Sequence, residues 1–232
     1  MDGTGDLFSP FLQALPRCQA VRVVSYPADR AANYPALERH VVDSLPAGEP
    51  IMIVAESFSG PIALRLSANR SLKLRAVVVV CSFASRPLGF SGAIFARLPL
   101  SCLFRLRIPP LLLRRFLLGN KANEELVKGT VAAISSVRPD VLAGRLREAL
   151  TSRYCAGPIL PATRVVALFS QKDRLLGRRA RKSITEAVPC VGMQALDAPH
   201  FALQAAPGQV VRKLADLDLL RLPPPIPDEN RL

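Results

Sequence analysis

A chain of 232 residues, half of them hydrophobic and with a mean hydropathy of +0.24, can bury one sizeable core and has the length of a single α/β domain. Its apolar balance does not encode a membrane span, because the most apolar stretch, Ile94 to Leu118, is cut by Pro99, Pro109 and Pro110 and carries five arginines, where a spanning helix needs about 20 nearly uncharged residues. The formal charge of +13 is concentrated, with twelve basic residues against four acidic ones between Arg86 and Arg153 and a second basic knot from Lys172 to Lys182; without interleaved aromatics, Trp or zinc-ligand spacing, these patches do not read as a nucleic-acid surface.

The first β-rich run is Val21-Arg22-Val23-Val24, read as a short strand ending at Tyr26-Pro27. A helix follows, with Leu37, Val41 and Leu45 on one face. Ile51 to Ala55 is the next strand, and it runs through Ser57 into a helix carrying Ile62, Leu64, Leu66 and Ala68. Leu74 to Cys81, with four consecutive valines, is apolar on both faces, as a parallel sheet covered by helices on each side requires. Residues 86–156 break this rhythm: they contain no strand pattern, are rich in Leu, Pro and Arg, and include the helical patterns Leu111–Leu118, Asn123–Ser136 and Asp140–Tyr154. Arg164–Phe169 and Gly192–Leu196 are two further strands, each leading through a loop into a helix.

The expected fold class is α/β, with a mostly parallel sheet and helices on both faces. Residues 1–85 and 157–221 form its core, 86–156 a helical cap insertion over the strand ends, and the proline-rich 222–232 an extended tail. The acidic, glycine-rich start does not read as a secretory signal. Five cysteines (Cys18, Cys81, Cys102, Cys155, Cys190), scattered and without Cys-x-x-Cys spacing, read as reduced packing residues in a cytoplasmic protein.

The chemistry centres on Ala55-Glu56-Ser57-Phe58-Ser59-Gly60, a strand–turn–helix junction with a serine at its apex. A serine there stands clear of its own backbone, while the following N–H groups and the helix N-terminus face any negative charge that develops beside it. The usual spelling is Gly-x-Ser-x-Gly, and Ala55 and Ser59 occupy the glycine positions. Ser57 needs a base, and the chain has two histidines. His40 falls inside a helix on the turn opposite Leu37 and Val41 and reads as a surface residue. His200 follows a strand and precedes a helix, where it can reach across the strand ends. Asp173, in the loop after the preceding strand, is placed to orient His200, with Asp197 as the competing carboxylate.

These pieces, with Asp2-Gly3-Thr4-Gly5, Ser25-Tyr26-Pro27, Asp173-Arg174-Leu175-Leu176 and Ala198-Pro199-His200-Phe201, occur in the order of the α/β-hydrolase superfamily, which the chain resembles over almost its whole length. The resemblance implies a serine hydrolase of carboxylic esters, with Ser57, His200 and Asp173 as the catalytic triad and no metal or organic cofactor. It places one oxyanion donor at the Phe58 N–H and the second at Met1, which aligns with the leucine of a Pro-Gly-Leu-Asp-Gly-Thr-Gly loop. In the family that loop follows a central strand, so the natural reading frame is expected to begin upstream. Leu7, Phe8, Leu103, Phe104 and Phe116, with the Phe58 ring, are the expected wall of an acyl pocket. The expected partner is a small acyl ester. The basic insertion keeps open a thioesterase acting on groups carried by an acidic carrier protein or coenzyme A, and is compatible with peripheral membrane contact. A non-catalytic binding protein of the same fold is the third alternative.

Overall fold

The computed structural model describes residues 1–46, 48–106, 108–153 and 159–220. The tail at 222–232, Cys155 and the end of the Asp140–Tyr154 helix fall outside these residues. Four strands, β1 (Ile51–Glu56), β2 (Leu74–Val80), β3 (Arg164–Ser170) and β4 (Gly192–Leu196), lie side by side in chain order and are all parallel. In the β1–β2–β3 centre, Ile53 pairs with Val77 and Val77 with Val165, so the valine run of β2 is bonded on both sides.

The valine run is uninterrupted because both of its faces are covered. Val77 and Val79 point into one cluster, packed by α2 (Tyr34–Ser44), α3 (Gly60–Leu66) and α9 (Arg178–Ala187) through Leu37, Ile62 and Ile184. Ala76, Val78 and Val80 point into the other, packed by α1 (Ser9–Ala14), α10 (Ala202–Ala205) and α11 (Pro207–Asp216) through Phe11, Leu203 and Leu214. Successive side chains of a strand face opposite ways, so alternate residues serve alternate cores. Asn33 starts α2 as an N-cap, its side chain accepting from the Ala36 N–H at 3.0 Å.

Between β2 and β3 the chain forms α4 (Gly89–Phe95), α5 (Leu100–Arg105), α6 (Pro110–Leu113) running into a π-helical turn (Arg114–Leu118), α7 (Glu124–Ser135) and α8 (Pro139–Thr151). Among the described residues the segment carries helices and no strand, as its composition led us to expect, but α4 and α5 have no clear signal in the sequence. Their glycines, prolines and six- to seven-residue lengths blur any 3.6-residue period. Both pack on α8.

The run Val21–Val24 is not a strand. The segment is tied down instead by loop contacts: the Tyr26 N–H donates to the Gly3 carbonyl at 2.7 Å, the Ser25 hydroxyl to the Thr4 carbonyl at 2.6 Å, and Arg22 to the Ser44 carbonyl at 2.8 Å. An apolar extended run becomes a strand only where a neighbour completes its ladder, and β-propensity supplies no neighbour.

Candidate active site

Ser57, Asp173 and His200 are brought together at the carboxyl ends of β1, β3 and β4. Ser57 Oγ and His200 Nε2 are 2.9 Å apart, and His200 Nδ1 and Asp173 Oδ2 are 2.8 Å apart. His200 is fully buried and the Asp173 side chain nearly so. Asp173 is fixed from its other oxygen, where Oδ1 accepts the Leu175 and Leu176 N–H groups, each at 2.8 Å. A carboxylate held in this way accepts the Nδ1–H, which leaves Nε2 as the ring's acceptor toward Ser57. Asp197 faces solvent and pairs with Lys172 at 2.7 Å, and the His40 Nε2 contacts the Ser25 carbonyl at 2.7 Å on the surface of α2.

Ser57 has φ +52°, a left-handed conformation unusual for a residue with a side chain. Strain of this kind persists only where the surroundings over-determine it. Here the Ser82 hydroxyl donates to the Ser57 carbonyl at 2.6 Å, the Tyr34 hydroxyl to the Phe58 carbonyl at 3.1 Å, and the Tyr26 hydroxyl to Ser59 Oγ at 2.9 Å. Burial raises the pKa of both tyrosines, so they remain neutral donors.

The glycine constraint of this turn falls at Gly60. A Cβ there would meet Ser82 Oγ at 1.8 Å and Ser82 Cβ at 2.7 Å. Ser59 has room for its hydroxyl and uses it, so the serine in a customary glycine position is accommodated rather than strained.

Glu56, the residue before Ser57, was not singled out from sequence and proves to be a buried carboxylate. Its Oε1 accepts the Leu203 N–H at 3.0 Å and its Oε2 the Gln204 amide at 2.8 Å. Burial raises its pKa, more than those two hydrogen bonds and the nearby His200 lower it. Arg145 of α8 was also missed. It is 1% exposed, donates to the carbonyls of Met1 at 2.9 Å and Pro27 at 2.8 Å and to that of Asp2, and lies 5.6 Å over the Tyr26 ring. The only sequence signal for it was an arginine at an apolar position of an amphipathic helix.

The expected acyl wall does not assemble as one surface. Leu7 packs with Leu113, Leu118 and Phe201 next to His200, but Phe8 packs against the α1 side of the sheet and Phe104 against Val137, Val141 and Leu142. Leu103 and Phe116 are 51% and 42% exposed. The Phe58 ring points into the core, stacked on Tyr34 at 4.9 Å. An apolar sequence pattern distinguishes buried from exposed faces poorly in short helices such as α5 and the turn after α6. The Met1 nitrogen is 3.7 Å from Asp2 Oδ1. A groove of about 430 Å³ runs between α1 and Val21–Val23, and none of the three site residues lines it.

Among the described residues there is no His, Cys, Asp or Glu cluster able to hold a metal ion, and no helix is long and apolar enough to cross a membrane.

No protein-family model matches the sequence, and neither does any curated protein. Solved structures do match. A hydrolase from Oleispira antarctica superposes with a TM-score of 0.69 at 14% identity, over 94% of this chain and 87% of that one. The enol-lactonase from Burkholderia xenovorans gives 0.65 at 15%, over 93% and 87%, and the type II thioesterase BorB from the borrelidin biosynthetic cluster 0.66 at 20%, over 93% and 88%. Four parallel strands with helices on both faces, a serine turn after β1 and these superpositions define the class. The chain has the α/β-hydrolase fold.

Proposed function

We propose that this chain is a serine hydrolase that cleaves carboxylic esters through an acyl-enzyme on Ser57. The observation that carries the reading is the continuous hydrogen-bonded run from Ser57 through His200 to Asp173, at 2.9 and 2.8 Å, with the serine held at φ +52°. In this reading His200 Nε2 takes the hydroxyl proton as Ser57 Oγ adds to the acyl carbonyl, and Asp173 stabilises the imidazolium that forms. The tetrahedral oxyanion is met by the Phe58 N–H, a donor worth roughly 3 kcal/mol in comparable sites, and by the Met1 backbone nitrogen as the second. Collapse expels the alcohol, which receives the proton from His200. Water, deprotonated by the same base, then releases the acid and restores Ser57. None of these steps calls for a metal or organic cofactor. The esterases and hydrolases among the structural neighbours support the same class.

A second reading keeps the chemistry and changes the leaving group to a thiol, with acyl groups delivered by coenzyme A or an acidic carrier protein. The likeness to a type II thioesterase at 20% identity and the basic balance of residues 86–153 favour it. Rates on p-nitrophenyl acetate, p-nitrophenyl butyrate and butyryl-coenzyme A, with wild type and Ser57→Ala, test both. The ester reading expects ester turnover lost in the variant; equal rates for both proteins on every substrate end the enzymatic account.

A further inference from the structure

Thirteen large apolar side chains stand exposed among the described residues, and ten of them lie between Leu88 and Phe116. Phe90 is 76% exposed, Leu111 74%, Leu106 68% and Ile94 55%. Phe90 and Ile94 sit four residues apart, on one face of α4. Interspersed with them are the exposed Arg97, Arg105 and Arg115, and residues 86–123 contain no Asp or Glu at all. Soluble surfaces do carry single exposed apolar residues, but a concentration of this kind in one cationic segment marks an interaction site.

We propose that the segment from α4 to the π-helical turn is a docking surface for an anionic lipid bilayer. Short helices that project large apolar side chains among arginines suit an interface in which the side chains enter the acyl boundary and the guanidinium groups meet lipid phosphates. A second copy of this chain would bring its own acid-free arginines against these, at a cost in like-charge repulsion. An acidic protein fits the charge but would need hollows shaped to the protruding side chains, whereas a bilayer takes them without a matching shape. The surface is held in place from below: Arg147 of α8 donates to the carbonyls of Ala96 at 3.2 Å and Leu98 at 3.4 Å, which fixes the junction of α4 and α5. At its far end the Phe201 N–H donates to the Leu117 carbonyl at 2.9 Å, so the docking segment abuts the loop carrying His200. The bilayer docking does not rest on the hydrolase reading.

Sedimentation of the full chain with vesicles of phosphatidylcholine alone, and of phosphatidylcholine with phosphatidylglycerol, tests the proposal. Binding is expected to the anionic vesicles only and to weaken as salt is raised. It should fall at least tenfold in both Phe90→Ser/Ile94→Ser and Arg97→Glu/Arg105→Glu, variants at exposed positions whose folding is checked by their melting curves. The exposed pair Val21→Ser/Val23→Ser, outside the segment, should bind as wild type. No binding to anionic vesicles, equal binding to neutral ones, or wild-type binding by the two segment variants would overturn it. So would a dimer seen by light scattering that the Phe90→Ser/Ile94→Ser variant abolishes, which would assign the face to a second copy.

Discussion

Glu56 and Gln204 stand 148 positions apart in the chain and meet side chain to side chain at 2.8 Å inside the protein. One precedes Ser57 and the other follows His200 by four residues, so this contact, with the Leu203 N–H on the other Glu56 oxygen, ties the end of β1 before the serine turn to α10, the helix that follows His200. Gln204 Oε1 is buried there without a hydrogen-bond partner among the described residues. A protonated Glu56, or a glutamine in its place, could donate to that oxygen once the Gln204 amide turns over, while still accepting from Leu203.

This gives a signed pH effect on stability. Because burial raises the Glu56 pKa in the folded state, its contribution is fully present below the ordinary glutamate value of about 4.3 and is lost as pH rises through the folded value. Glu56→Gln cannot ionise, so its melting temperature relative to wild type should climb between about pH 4.5 and pH 8. A difference that stays flat or moves the other way across that range would contradict the buried-carboxylate account.

Gly60 and Ser82 should show strong coupling. Gly60→Ala drives a methyl into the Ser82 hydroxyl, and overpacking of this kind costs about 1–3 kcal/mol, or roughly 2–4 °C of melting temperature per kcal/mol in a chain of this size. Ser82→Gly removes both clashing atoms but also the hydrogen bond to the Ser57 carbonyl. The double variant should therefore be more stable than the two single effects added together, as a thermal double-mutant cycle would reveal. Simple additivity would mean that the turn relaxes away from Ser82.

Arg145 is expected to be a structural anchor between α8 and the loops at residues 1–5 and 25–27. Arg145→Met leaves the Met1, Asp2 and Pro27 carbonyls without this donor, at about 1–3 kcal/mol for each group that stays buried and unpaired. Calorimetry should record a drop of several degrees. An unchanged melting temperature would show that water replaces the guanidinium.

The two candidate carboxylates separate by kinetics. Asp173→Asn should lower kcat for p-nitrophenyl butyrate by on the order of 10³–10⁴, since the amide favours the wrong histidine tautomer. Asp197→Asn, at an exposed ion pair with Lys172, should change it by less than about twofold. The reverse pattern would move the acid to Asp197.

What was legible in the sequence follows from how local each signal is. β2 and β3 were readable because a parallel strand covered on both faces is apolar at its centre, and the short β4, which contains Gln194, only from its place before a loop and a helix; Ser57, Asp173 and His200 were legible because they stand in the turns that follow β1, β3 and β4. Val21–Val24 misled because pairing is a property of the neighbour. Glu56 and Arg145 were opaque for a related reason: their partners, Gln204 and the Met1, Asp2 and Pro27 carbonyls, lie more than a hundred positions away. The room at Ser59 and its lack at Gly60 depend on Ser82, which belongs to the loop after β2.

The most direct test of the central claim is labelling with a fluorophosphonate probe followed by mapping of the modified peptide. The account predicts a single adduct on Ser57, formed by wild type, lost in His200→Ala and strongly slowed in Asp173→Asn. No adduct on the folded wild-type protein, or an adduct on another serine that survives His200→Ala, would contradict it.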